Sequence, residues 1–180
     1  SPEKELYIGD ISETHYCLLN KFNVLNHHLL IVTRHFEHQE ELLKMCDFAA
    51  LCACMHEFDG LAFYNAGVAA GANQPHKHLQ MVPLPLSDNG VDIPMARLFD
   101  SLNGHGARIR NIPGLSFDHA FSWLSESIFE HPRRSAEITH DLYVDLLEAL
   151  GLHGSRSDGE LRQSSPYNLL MTRRWMLLVP

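Results

Sequence analysis

From Leu61 to Leu84 the chain runs through an apolar segment, a loop of small residues and a second segment in which His76, His78 and Gln80 alternate with Lys77, Leu79 and Met81. A two-residue period of this kind belongs to an extended strand, and it puts both histidines and the glutamine on one face of a sheet. Leu61 to Asn65 reads as the preceding strand, Gly67 to Pro75 as the loop, and His76 to Leu84 as the next strand. Pro83 and Pro85 lack the backbone donor that a ladder needs, so this strand ends there or lies at an edge. The rest of the chain has to supply the sheet that holds this pair.

Three short segments before it read as a β meander: Leu6 to Ile11, His15 to Phe22 and His28 to Thr33, rich in β-branched and aromatic residues and bounded by Asn and Asp. From about Glu37 to Phe58 the period changes to three and four, through Leu42, Met45, Cys46, Ala49, Cys52 and Met55. That pattern predicts one amphipathic helix ended near Asp59-Gly60, with its cysteines in the core stripe. The order strand, strand, strand, helix, strand, loop, strand predicts an α+β fold with an antiparallel sheet.

Beyond the pair, Ser87 to Gly114 reads as irregular with a helical piece near Met95 to Leu102. Helical spacing returns in His119 to Phe129 and in Ala136 to Leu150, split at His131-Pro132. Ser155 to Ser165 is polar and reads as mobile, and Tyr167 to Pro180 reads as two closing strands around Thr172-Arg173. There is no internal repeat and no linker, so residues 1–180 are expected to form a single domain.

Composition narrows the function classes. A formal net charge of -8 argues against nucleic-acid binding, which needs a positive face. A small anion must then be met by local donors. No apolar run is long enough to span a membrane and Ser1 to Glu5 does not open a signal peptide, so a cytoplasmic protein without a membrane partner is expected. The four cysteines, Cys17, Cys46, Cys52 and Cys54, lack paired zinc spacing and read as reduced thiols.

The chemistry of the His76 to Gln80 face follows from its residue types. A neutral imidazole with one nitrogen pinned by a hydrogen bond and the other free is a nucleophile toward phosphorus. Attack on a phosphoanhydride splits one transfer into two displacements, and the charge on the equatorial oxygens needs donors. Gln80 projects on the same face, while Asn65 and Asn73 reach that side from the strand end and the loop. Gly67 and Gly71 let the backbone approach an anion. Taken singly, the glycines also serve as strand terminators and Asn65 as a turn former. Two histidines at i and i+2 can also share a metal ion, although no cysteine pair has the spacing to complete a zinc site.

His76-Lys-His-Leu-Gln80, with Asn65 and Gly71 at matching offsets and with Asn20 to Arg34 upstream, resembles the ATP adenylyltransferase (diadenosine tetraphosphate phosphorylase) family. This is the transferase branch of the histidine-triad superfamily, with glutamine in place of the third histidine. The likeness is close from Leu6 to Leu86, with further support from Tyr167 to Pro180. It implies a HIT-like antiparallel sheet with one long helix between strands, a helical C-terminal segment and a closing strand pair. It also implies that His78 attacks the α-phosphorus of diadenosine tetraphosphate, releasing ATP, and that phosphate then takes AMP from the histidine to give ADP.

In the same likeness His76 supports the nucleophile, and Gln80, Asn65 and Asn73 hold phosphoryl oxygens beside Gly71 and Gln74. His28 lies behind the site and Lys21 is a phosphate or nucleotide contact. Glutamine at position 80 donates hydrogen bonds but is no acid, which suits transfer over hydrolysis. Expected partners are small nucleotides and phosphate. No covalently bound cofactor or protein-held metal is expected, and a divalent cation such as Mg2+ would aid the anions. Family members are longer at both ends, so this chain is expected to be truncated at both. Two alternatives stand beside this reading: a hexose-1-phosphate uridylyltransferase and a non-catalytic dinucleotide-binding protein.

Overall fold

A computed structural model describes residues 5–22, 25–86, 93–102, 108–157 and 159–180. The meander forms as expected: β1 (Tyr7–Asp10), β2 (His15–Leu19) and β3 (Leu29–Thr33) pair antiparallel in sequence order. The helix that follows, α1 (Met45–Glu57), starts later than its periodicity suggested. Residues 37–44 spend their backbone groups elsewhere: Gln39 N–H donates to Pro75 O at 2.8 Å, and Glu37 O accepts Lys77 N–H at 2.8 Å. Hydrogen bonds to a distant segment outweigh local helical spacing here.

The central pair is β4 (Gly60–Ala66) and β5 (His78–Pro83). β5 begins two residues later than expected and stops at Pro83, as the missing donor requires. It is not an edge, because β3 flanks it on one side and β4 on the other. Next come a 3-10 stretch at Pro94–Leu102, β6 (Ala120–Trp123), a second 3-10 turn at Glu126–Glu130 and α2 (Pro132–Ala149). The predicted irregular segment falls partly on residues 87–92 and 103–107, outside the described residues.

A helix over His119 to Phe129 does not form. Ala120 to Trp123 pairs instead with the last strand, Trp175 opposite Trp123 and Leu177 opposite Phe121, so a long-range partner overrides a local period. The break at His131-Pro132 holds, with proline at the start of α2, where its missing N–H costs nothing.

The polar stretch after α2 is a second correction. It forms a hairpin, β7 (Gly154–Ser157) with β8 (Glu160–Gln163), tied down by Gln163 N–H to Glu40 O at 2.9 Å and by Gln163 Nε2 to Ala66 O at 2.6 Å. Then β9 (Tyr167–Met171) and β10 (Trp175–Val179) close the chain as read.

Among the described residues eight strands lie in one antiparallel sheet, in the order β1-β2-β3-β5-β4-β9-β10-β6. Strand period separates its two faces. Ile31, Ala62, Tyr64, Leu79, Met81, Leu169, Met171, Met176 and Leu178 face α1 and α2, where Phe48, Leu51, Met55, Leu142, Tyr143 and Leu146 complete the main core. On the opposite face Leu61, Val82, Phe121, Trp175 and Leu177 are covered by Phe99 and Leu102 of the 3-10 stretch. That cover stops short of the ends of β3, β4 and β5 where His78 sits.

Candidate active site

At that uncovered corner lies a cavity of about 310 Å³. Leu30 and Phe63, which pair with Gln80 from either side, form its apolar floor, and His78 and Gln80 project from β5. Asn65, Gly71, Asn73 and Gln74 line it from the strand end and the loop, and Asn20, Phe22 and His28 from the β2–β3 connection. Two stretches of chain, 20–30 and 63–80, meet here because β5 lies between β3 and β4.

His78 carries the sharpest constraint. Its Nδ1 lies 2.9 Å from the backbone carbonyl of His76, an acceptor only, so Nδ1 holds the proton and Nε2 is left with a free lone pair. Burial pushes its pKa below the ordinary imidazole value, with the His76 carbonyl opposing and the neighbouring His76 and His28 rings assisting. The ring is therefore neutral at pH 7 and of one tautomer.

Gln80 is oriented by a relay. Asn20 Nδ2 donates to His28 Nδ1 at 3.3 Å, which leaves the His28 proton on Nε2, and that N–H donates to Gln80 Oε1 at 2.9 Å. Burial holds His28 below the usual imidazole pKa despite its bond to Gln80, so it too is neutral. With Oε1 engaged, Gln80 offers its NH2 group to the cavity as a pure donor.

The loop carries its glycines for geometric reasons. Gly67 has φ 93° and ψ 169°, a region open in practice to glycine alone, and Gly71 has φ 98° and ψ 9°. A Cβ on Gly71 would stand 3.6 Å from Asn65 Nδ2, so the loop runs close over the Asn65 amide.

The structure gathers His78, Gln80, Asn65, Gly71, Asn73, Gln74 and His28 around one cavity. His76 contributes its carbonyl, while its own ring turns to Thr33 Oγ1 at 3.0 Å and lies outside the lining. Lys21 is exposed on the turn between Asn20 and Phe22, beside the lining without belonging to it. Asn20, Phe22, Leu30 and Phe63 were not singled out from sequence, since nothing local marks a residue that reaches a site through strand pairing.

Behind β5 lies a feature whose sequence signal was an ordinary lysine. Lys77 is wholly buried and pairs with Asp47 at 2.8 Å and Glu37 at 3.1 Å. Asp47 also accepts from Lys44 N–H at 2.6 Å and pairs with buried His15 at 2.9 Å. Burial alone would raise the Asp47 carboxyl, but His15 and Lys77 outweigh it and hold its pKa below the usual value. Among the described residues no group of three or more His, Cys, Asp or Glu side chains could hold a metal ion. No described helix is long and apolar enough to cross a membrane.

Comparison with known proteins agrees with this geometry. The family model for the Ap4A phosphorylase N-terminal domain matches residues 1–101, and that for the ATP adenylyltransferase C-terminal domain matches residues 113–180. Two Saccharomyces cerevisiae proteins are similar: Protein APA1, 29% identical over 99% of this chain, and diadenosine 5',5'''-P1,P4-tetraphosphate phosphorylase 2, 28% identical over 100% of it. The chain spans 59% of the length of each. The crystal structure of yeast Ap4A phosphorylase Apa2 superposes with a TM-score of 0.79 at 27% identity, covering 100% of this chain and 61% of that one. Its complex with AMP superposes at 0.75 with 27% identity, covering the same shares.

Proposed function

Because the chain belongs to the family defined by the Ap4A phosphorylase N-terminal domain, we propose that it is a nucleotidyltransferase that converts diadenosine tetraphosphate and phosphate to ATP and ADP, and the reverse. In the first step the Nε2 lone pair of His78 attacks the α-phosphorus, a P–N bond forms, and the bridging P–O bond breaks to release ATP. The adduct keeps its Nδ1–H on the His76 carbonyl, which stabilises the positive charge that the ring acquires. In the second step a phosphate oxygen attacks the same phosphorus, the P–N bond breaks to give ADP, and the neutral ring returns. Gln80, Asn65 and Asn73, with the Gly67 to Gly71 backbone, donate to the phosphoryl oxygens, and Lys21 meets the polyphosphate from the rim.

The observation that carries this reading is the His78 ring pinned at Nδ1 by a carbonyl, with Nε2 free in a cavity of amide donors. The matched relatives favour adenylyl over uridylyl transfer. Among the described residues no carboxylate lines the cavity, so those residues do not fit a protein-held Mg2+ and no step passes through one. The same proposal takes residues 1–180 as one HIT-like domain, supported by β9 of the C-terminal match pairing with β4 of the N-terminal match. It also places the protein in the cytoplasm, supported by four free thiols.

Intact-mass measurement after mixing with diadenosine tetraphosphate tests the reading. A gain of one AMP on the wild type, absent in His78→Ala and discharged to ADP only when phosphate is added, is the expected result. ADP formed without phosphate dependence, or tight binding with no adduct, would overturn it.

A further inference from the structure

We propose that Gln39 is a positioning residue for His78, its side-chain amide serving as a detached peptide unit where β4 and β5 part. The two strands pair as far as Phe63 opposite Gln80, and the ladder goes no further. Their outer neighbours continue, β3 to Val32 opposite His78 and β9 to Tyr167 opposite Ala66. The gap so opened leaves three backbone groups without a partner across the β4–β5 ladder: His78 N–H, His78 C=O and Asn65 C=O, the last of which also accepts from Gly67 N–H at 3.1 Å.

Gln39 satisfies all three. Its Oε1 accepts from His78 N–H at 2.8 Å, and its Nε2 donates to His78 O at 3.1 Å and to Asn65 O at 3.0 Å. Both protons and the oxygen of one amide are used, which no other side chain of that length reproduces. The residue is 3% exposed and is itself held at both ends of its backbone. Its N–H donates to Pro75 O at 2.8 Å, and its C=O accepts from the buried Tyr64 hydroxyl at 2.6 Å.

The consequence reaches the ring of His78. Its Nδ1 bond closes on a carbonyl only two residues back, so it depends on the backbone from His76 to His78 keeping one conformation. Gln39 fixes the far end of that turn at His78 N–H. Because the same amide holds Asn65 O, it also sets the spacing between the nucleophile and the amide wall opposite. This role rests on His78 as the reacting group, but not on which nucleotide it takes.

The test reads the ring directly. Long-range 15N–1H NMR of the wild type is expected to show one neutral tautomer of His78, protonated at Nδ1. Gln39→Met, which keeps the volume and removes all three bonds, is expected to show at least a tenfold rise in the Nε2–H form while the backbone spectrum stays dispersed. An unchanged His78 tautomer in folded Gln39→Met overturns the proposal.

If that variant does not fold, the wild type still decides. Both Gln39 side-chain amide protons should exchange at least tenfold more slowly than those of exposed glutamines, and exchange at the free-amide rate overturns it. Neither readout uses nucleotide, so a missing AMP adduct would defeat adenylyl transfer while leaving this inference to stand or fall by itself.

Discussion

Replacing Lys77 by methionine should destabilise this protein severely although the residue touches no part of the cavity. The ammonium group is wholly buried and has Asp47 at 2.8 Å, Glu37 at 3.1 Å and Leu42 O at 3.1 Å. Methionine fills similar volume, so the transfer and cavity contributions are small. What remains is Asp47, also wholly buried, with its ammonium partner gone and the His15 imidazole still beside it. Removing one partner of a buried ion pair costs about 3–5 kcal/mol. In a chain of this size that is a fall in Tm of roughly 6–20 °C.

The pH dependence supplies a second signature. In the wild type the Asp47 pKa is depressed, so its contribution is present above the unfolded value of about 3.9 and is lost as pH falls through the folded value. Without Lys77 the folded pKa rises, and protonating Asp47 relieves the uncompensated charge. The gap between wild type and variant should therefore be widest near pH 7 and narrow as pH falls into the acidic range where carboxylates are protonated. Urea unfolding across that range measures it. Asp47→Asn in the Lys77→Met background should recover stability, since the two residues share one interaction. A Lys77→Met cost below about 1 kcal/mol, within the range of exposed pairs, or additive effects in the double variant would refute the reasoning.

Burial holds the His78 pKa below its ordinary value near 6.5, and only the neutral ring has a free Nε2. The single-turnover rate of AMP loading should therefore be flat from pH 8 to about 6.5 and fall only as pH drops through the depressed value, and a midpoint at or above 6.5 would contradict the burial argument. Among the loop glycines, Gly71→Ala places a Cβ in ordinary contact at 3.6 Å and costs backbone strain of about 1–2 kcal/mol. Gly67→Ala adds approaches of 3.0 Å to Gln163 Nε2 and 3.3 Å to Glu40 Cγ in a conformation reserved for glycine, so urea unfolding should rank it the more destabilising of the two.

The motif face was legible because a strand has a period of two. His78 and Gln80 line the cavity, and Leu79 and Met81 lie in the core, as their alternation required. The terminal strand pair and the break before Pro132 were legible for similarly local reasons: turn residues between apolar runs and a missing donor. The helix read over His119 to Phe129 failed because Ala120 to Trp123 finds its hydrogen bonds in β10, more than 50 residues on. The polar stretch after α2 failed in the opposite way, since its backbone is held by Glu40 and Leu42 and its Gln163 side chain by Ala66 O, all distant in the chain.

The residue sequence by itself determined which side chains share a face with His78, because covalent alternation along an extended chain needs no partner. It determined as well that Gln80 brings a donor rather than an acid. Only the tertiary structure decided how those groups are set. The His78 tautomer depends on a carbonyl, the direction of the Gln80 amide on His28 and Asn20 from the β2–β3 connection, and the gap between β4 and β5 on a glutamine 39 residues before His78. The His76 carbonyl is only two residues from the ring it pins, but the Gln39 and Gln80 bonds join groups 39 and 52 residues apart, whose partners exist only once the sheet has closed.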